Sequence, residues 1–129
     1  MDSARLNQIS NIAVDCAIRV HKSLGPGLLE SAYKACMAIE LEAAGLLVEM
    51  EVPVPLFYKG QKVADVGYRL DLLVERELIL EIKAVEALAP VHFAQLLSYL
   101  RLSERRLGLL MNFNGVLMKG GIKRVANNF

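Results

Sequence analysis

Apolar and polar residues alternate in the middle of the chain, where residues 67–85 read GYRLDLLVERELILEIKAV. Two largely apolar runs, 68–74 and 78–84, are separated by the charged residues 75–77. Alternation interrupted by three polar residues predicts two antiparallel strands joined by a short turn, although neither Gly nor Asn marks that turn. We therefore expect a β-hairpin at the centre of the fold.

The two faces of this hairpin differ in chemistry, because successive side chains of a strand point to opposite sides. The face predicted to join the core is wholly apolar and consists of Leu70, Leu72, Val74, Leu78, Leu80 and Ile82. The other face carries Asp71 and Glu81. With residues 75–77 as the loop, these two acids lie directly opposite each other, with Cβ atoms roughly 4.5–5.5 Å apart.

Opposed carboxylates need a compensating cation, because like charges across a strand pair destabilise the sheet. Lys83 follows on the same side of the hairpin. One interpretation is an ordinary ion pair of Lys83 with one acid on a solvated face. The other is a divalent cation, since Mg²⁺ is bound by one or two carboxylates and keeps several waters.

The segments before the hairpin predict two helices and then strands. Residues 4–24 carry an apolar stripe at helical spacing, which consists of Leu6, Ile9, Ala13, Cys16 and Val20. A second helix is predicted over residues 28–44, with Glu30 in its first turn on the side of residues that pack inward. Residues 47–66 alternate as strands with a turn at 58–62, and the prolines at 53 and 55 favour an edge or bulged strand.

The segments after the hairpin predict a helix and two further strands. A helix opens at Ala89-Pro90, a buried strand covers 106–113, and a return strand lies within 115–125. Residues 1–129 show no repeat, linker or low-complexity tract. They are therefore predicted to form one α/β domain.

Composition and charge constrain the class of protein. The hydrophobic share of 54% exceeds that of an ordinary soluble domain, and we expect a homodimer that buries part of it. No apolar run approaches the roughly 18 residues of a membrane span, and no leader segment is evident, so a cytoplasmic protein without membrane contact is expected. Cys16 and Cys36 lie on apolar helical stripes and are predicted to be core thiols rather than a disulfide.

A net charge of +1 is low for a protein that binds nucleic acid, because that binding depends on Lys and Arg neutralising phosphates. Basic residues do gather late in the chain: Arg101, Arg105, Arg106, Lys119, Lys123 and Arg124. They predict either a local phosphate-binding patch or an ordinary solvated surface.

Two motifs resemble known families. Asp71 followed by Glu81-Ile82-Lys83 resembles the Asp…(Asp/Glu)-X-Lys signature of the PD-(D/E)XK nuclease superfamily, although Leu70 stands where the name of the superfamily has Pro. Residues 27–33, GLLESAY, resemble the motif of the GxxExxY proteins, a small family within that superfamily. The resemblance extends over residues 9–125.

The resemblance implies a restriction-endonuclease-like α/β core with the element order αα-βββ-α-β and a mostly antiparallel central sheet. It further implies hydrolysis of phosphodiester bonds in DNA or RNA with Mg²⁺ or Mn²⁺. The implied metal ligands are Asp71, Glu81, the Ile82 carbonyl and Glu30, and Lys83 would assist the attacking water.

The helix after the hairpin carries Gln95 and Tyr99, whose spacing resembles an accessory motif of the same superfamily, and Arg69 is a further candidate accessory residue beside Asp71. The alternative function is a module that keeps the nuclease fold without cleaving. Such a module would bind nucleic acid or protein, or serve as an oligomeric structural unit.

Overall fold

Two helices precede the sheet in the computed structural model, which describes residues 1–129. The first, α1, spans Ser3–Leu24, and the second, α2, spans Glu30–Ala43. The Asp2 carboxylate caps α1 by accepting the Arg5 N–H at 2.8 Å, which satisfies one of the free N–H groups of the first turn. The predicted apolar stripe of α1 is buried throughout.

The five strands form one sheet in the order β1-β2-β3-β4-β5. Their bounds are β1 Val48–Tyr58, β2 Gln61–Val74, β3 Leu78–Lys83, β4 Leu107–Asn112 and β5 Ile122–Ala126. A third helix, α3 (Pro90–Leu102), connects β3 to β4, and these two strands are therefore parallel, whereas all other pairs are antiparallel. A 3₁₀ turn at Lys119–Gly121 leads into β5.

The edge strand β1 is irregular, as its prolines predict. Its register against β2 shifts between Val54 and Leu56, on either side of Pro55. Pro cannot donate to a ladder, so an edge position with a bulge is where a sheet accepts it.

The central hairpin has the predicted loop and register. Leu72 pairs with Leu80 and Val74 with Leu78, which leaves residues 75–77 as the turn. Glu75 and Arg76 have φ angles of 51° and 59°, a left-handed conformation that usually requires Gly or Asn. Glu75 adopts it because its N–H donates to the Leu47 carbonyl and its carboxylate accepts the Leu47 N–H at 2.7 Å.

The sheet is covered on both faces. Helices α1 and α2 pack on one face in the larger apolar cluster, which includes Leu72 and Leu80, whereas α3 packs on the other face with Leu73 and Ile79. The prediction that Leu70 shares the face of Leu72 was wrong, since Leu70 packs in the α3 cluster. The β2–β3 pairing stops at Leu72, so the side-chain alternation of the hairpin no longer has to hold at Leu70, which is not paired with β3.

Cys16 is buried, Cys36 is half-buried, and both are free thiols, as predicted. None of the helices combines the length and the apolar character that crossing a membrane requires.

Tyr33 fixes the connection between α1 and α2. Its side chain is fully buried, and its ring stacks on Phe113 with centroids 4.6 Å apart. The hydroxyl donates to the Gly25 carbonyl at 2.6 Å and accepts the Leu28 N–H at 3.1 Å. Gly27, within the same loop, has a φ of 102°, which a residue with a side chain rarely adopts. The loop therefore holds the start of α2, and with it Glu30, in one position.

We predict that Tyr33→Phe lowers the free energy of unfolding by about 1–2 kcal/mol, because the Gly25 carbonyl and the Leu28 N–H lose their partner while the stacked ring remains. Urea unfolding followed by circular dichroism measures this change. Tyr58→Phe is the matched control, since Tyr58 is 66% exposed. Equal stability of the two variants would contradict an anchoring role for the Tyr33 hydroxyl.

Candidate active site

Asp71 and Glu81 lie where β2 and β3 separate. The last ladder pair is Leu72 with Leu80, and the same register places Asp71 opposite Glu81, as predicted. Beyond that pair, hydrogen bonds from backbone N–H groups to the two carboxylates replace the backbone hydrogen bonds between the strands. Asp71 Oδ2 accepts the Ile82 N–H at 2.8 Å, and Glu81 Oε1 accepts the Asp71 N–H at 3.3 Å. Each acid is thus held by the backbone of the opposite strand.

Burial makes this pair of acids costly when both are charged. Glu81 is only 4% exposed and the Asp71 side chain 20%. The pKa of Glu81 is raised to about 8, first by burial and then by the negative charge of Asp71, while Lys83 acts in the opposite direction. The pair therefore requires a proton or a cation at neutral pH.

The cation that contacts Asp71 is Lys34, which the sequence analysis missed. Lys34 Nζ lies 3.3 Å from Asp71 Oδ1 and also forms an ion pair with Glu51. A signal was present, because Lys34 follows Glu30 by four residues and so lies on the same side of α2. The alternative interpretation, an ion pair of Lys83 with one of the two acids, is not observed.

Glu30 binds the backbone just beyond the end of β3 and forms no hydrogen bond with Asp71 or Glu81. It is exposed, and its carboxylate accepts the Ala84 N–H at 3.0 Å, just past the end of β3. No group of three or more His, Cys, Asp or Glu side chains is arranged to hold a metal ion. The structure thus brings Asp71 and Glu81 together, whereas the Glu30 carboxylate binds the backbone N–H of the residue that follows Lys83.

The oxygen donors present nevertheless fit a hard divalent cation. Asp71 and Glu81 provide two carboxylates in contact with one another's strands. The N–H and C=O of one strand residue point to the same side, so the Ile82 carbonyl, like its N–H, faces β2 beyond the last ladder pair. Two carboxylates, a carbonyl and waters make a donor set that Mg²⁺ accepts.

The three remaining candidate residues, Gln95, Tyr99 and Arg69, differ in their relation to the two acids. Tyr99 stacks on Tyr68 at 4.4 Å. Burial raises the pKa of Tyr99, the charges of Glu81 and Asp71 raise it further, and the Gln95 amide lowers it. Tyr99 is therefore within electrostatic reach of both acids and close to Gln95. Arg69 is exposed and forms no ion pair.

Asn112 is a second residue that the sequence analysis did not identify as part of the site. It is buried, and it pairs with Lys83 across the parallel strands. Its Nδ2 donates to the Val85 carbonyl at 2.9 Å, and its Oδ1 accepts the Val85 N–H at 3.1 Å. This double contact fixes the backbone immediately after Lys83. In the sequence, Asn112 lies within the predicted strand over residues 106–113, and nothing in that pattern marked it as part of the site.

Comparison with known proteins identifies the class. Residues 7–125 match the family model described as the PD-(D/E)XK nuclease superfamily. No curated protein and no solved structure matched the chain. The match covers nearly the whole chain, so the protein belongs to the PD-(D/E)XK nuclease superfamily, and its α/β fold of helices followed by a mostly antiparallel sheet is of the restriction-endonuclease-like type.

We predict that Glu81→Gln removes a pH dependence of stability measured in chelator. Between the ordinary pKa of 4.5 and the folded value of about 8, the folded protein keeps a proton that the unfolded chain releases. The free energy of unfolding of the parent therefore falls as pH rises through this window, by up to about 1.4 kcal/mol per pH unit. The variant lacks this slope and equals the parent at the acid end.

Urea unfolding at pH values below, within and above the window measures both slopes. Glu86→Gln is the matched control, because Glu86 is exposed, and it should keep the parental slope. A loss of about 3–5 kcal/mol in Glu81→Gln at every pH would contradict the prediction, since it would identify Glu81 as half of a buried ion pair.

Proposed function

We propose that this protein is a divalent-metal-dependent nuclease that hydrolyses phosphodiester bonds of DNA or RNA with Mg²⁺ or Mn²⁺. The observation that carries the proposal is the buried contact of Asp71 with Glu81 at the point where two strands separate, in a chain that belongs to a nuclease superfamily. A raised carboxylate pKa in such a position is typical of functional sites.

The roles follow from the placement of each group. Asp71 and Glu81 would hold the metal together with the Ile82 carbonyl, since all three face the gap beyond the last β2–β3 pair. A bound Mg²⁺ or Mn²⁺ supplies a Lewis acid and lowers the pKa of a coordinated water.

Lys83 has a separate role in this proposal. Its ammonium has no ion-pair partner in the protein, so it is free to orient the attacking water and to offset charge that develops on the phosphoryl group. Asn112 holds the backbone after Lys83 and thereby its position.

Membership of the GxxExxY family is part of the proposal. Each of the three residues that name the motif has a structural role, which supports this membership. Gly27 permits the conformation of the loop before α2, Tyr33 anchors that loop, and Glu30 binds the Ala84 N–H. Glu30 therefore ties α2 to the end of β3. In this proposal it tunes the site through the position of Lys83, or supports a second ion.

The nucleic-acid partner would bind with little help from the late basic residues. Arg105 donates to the Arg76 carbonyl, Arg106 to the Met1 carbonyl and Arg124 to Asn7. These three guanidinium groups are engaged within the chain, whereas Arg101, Lys119 and Lys123 are exposed. Because the net charge is only +1, a strong non-specific patch is not expected. Affinity for nucleic acid should be modest and should weaken as salt rises. A homodimer, also proposed, would double the charges that face one substrate.

We predict that Mg²⁺ or Mn²⁺ raises the melting temperature of the parent and that Asp71→Asn abolishes this rise. A ligand that binds only the folded state stabilises it by RT ln(1 + [L]/Kd), about 2.7 kcal/mol at a hundredfold excess over Kd. Differential scanning fluorimetry and titration calorimetry measure the effect. Asp65→Asn is the matched control, because the Asp65 side chain is 90% exposed. Absence of metal binding by the parent would overturn the proposal.

We predict that Lys83→Ala loses cleavage while its metal affinity stays close to that of the parent, because Lys83 acts on the water and the transition state rather than on the ion. Labelled single- and double-stranded DNA and RNA, incubated with Mg²⁺, Mn²⁺ or chelator, provide the assay. Lys22→Ala is the control on an exposed lysine outside the late basic group and should cut like the parent. Parental cleavage by Lys83→Ala would rule out the role given to Lys83.

The same assay decides between cleavage and the non-cleaving alternative. A parent that binds metal and nucleic acid but cuts none of the four substrates would be a binding module with a retained site. The near-neutral net charge of +1 is the observation that favours that second function.

A further inference from the structure

Lys34 lies between acids from two different strands. Its ammonium contacts Asp71 Oδ1 at 3.3 Å and forms an ion pair with Glu51, and the side chain is only 15% exposed. Asp71 comes from β2, Glu51 from β1, and Lys34 itself from α2. Neither motif of the sequence assigns a role to Lys34 or to Glu51, so this contact is separate from the residues that the family resemblance implies.

Glu51 is held in an unusual backbone conformation for this contact. Its φ is 53° in the middle of β1, where an extended conformation is the rule. The β1–β2 ladder has pairs at Met50–Leu72 and Val52–Leu70 but none at Glu51, which stands opposite Asp71. Positive φ in a residue other than Gly is strained and is concentrated at functional sites. This strained conformation accompanies the ion pair of the Glu51 carboxylate with Lys34.

The charges show what Lys34 does for the carboxylate pair. Lys34 is the only cation within salt-bridge distance of Asp71, and neither Lys83 nor Arg69 forms an ion pair with Asp71 or Glu81. It therefore neutralises Asp71, one of the two carboxylates that the proposed function gives to the metal. A cation next to a carboxylate opposes the binding of a second cation, and the opposition is strong where water is largely excluded.

We propose that Lys34 is a built-in counter-ion of Asp71 that competes with the divalent metal and so sets the affinity of the metal site. This inference rests on the proposed function, because it requires that Asp71 bind metal. Glu51 gives the ammonium a second partner, so that Lys34 is not left buried and unpaired when it yields Asp71 to the ion. Lys34 is thus a positioning residue that acts through Asp71.

Titration calorimetry of Mg²⁺ on parent, Lys34→Met and Lys34→Arg tests the competition directly. Methionine keeps the apolar stem and removes the charge, so we expect Lys34→Met to bind Mg²⁺ about tenfold more tightly or better. Lys34→Arg keeps the charge and should stay within about threefold of the parent. Lys59→Met is the matched control for the loss of one positive charge, because Lys59 lies in the exposed β1–β2 turn.

Urea unfolding in chelator provides a readout that does not depend on metal. Lys34→Met should be less stable than Lys59→Met there, because Asp71 and Glu51 lose their shared cation. Saturating Mg²⁺ should reverse much of the difference. If Lys34→Met fails to fold, Lys34→Gln, which is neutral and still able to hydrogen-bond to Glu51, replaces it in both measurements.

The outcomes separate the two proposals. Tighter binding in the neutral variants alone supports the inference. Equal or weaker Mg²⁺ binding in Lys34→Met or Lys34→Gln, with clear binding by the parent, overturns the inference and leaves the proposed function standing. Absence of Mg²⁺ and Mn²⁺ binding in the parent and in all variants overturns both.

Discussion

The repulsion between the Asp71 and Glu81 carboxylates is the constraint around which the rest of the site is arranged. A continuous β2–β3 ladder would force two acids against each other in a sheet covered on both faces. The strands separate instead, and each carboxylate binds a backbone N–H of the other strand. This arrangement preserves the hydrogen bonds of the backbone, but it leaves a charge that burial cannot accommodate. Burial and the charge of Asp71 raise the pKa of Glu81 to about 8, so the pair needs a proton or a cation at neutral pH.

One helix supplies most of the support for this pair. The Tyr33 anchor holds the start of α2, and residues one turn apart on the helix then reach different parts of the sheet. Glu30 binds the backbone after β3, whereas Lys34 reaches Asp71 on β2. A shift of α2 would therefore disturb the end of β3 and the charge balance of Asp71 together. Asn112 steadies the same end of β3 from the neighbouring strand.

Local patterns were sufficient to predict most of the elements and the central pair. The loop at residues 75–77 and the opposition of Asp71 and Glu81 follow from parity alone, because a strand alternates its side chains whatever packs on it. The apolar stripe of α1 likewise depends only on helical spacing. Parity failed at Leu70, which lies beyond the last β2–β3 pair and packs in the α3 cluster.

The sequence by itself determined the α/β class, the hairpin register and the two opposed acids, since all of these depend on residues within a few positions of one another. Only the tertiary structure decided which cation serves Asp71, which backbone group Glu30 binds and what Asn112 holds. Each of those contacts joins groups far apart in the chain, and the way α2 and β4 pack against the hairpin decides which groups meet. That packing depends on the whole core, so it cannot be predicted from the spacing of neighbouring residues.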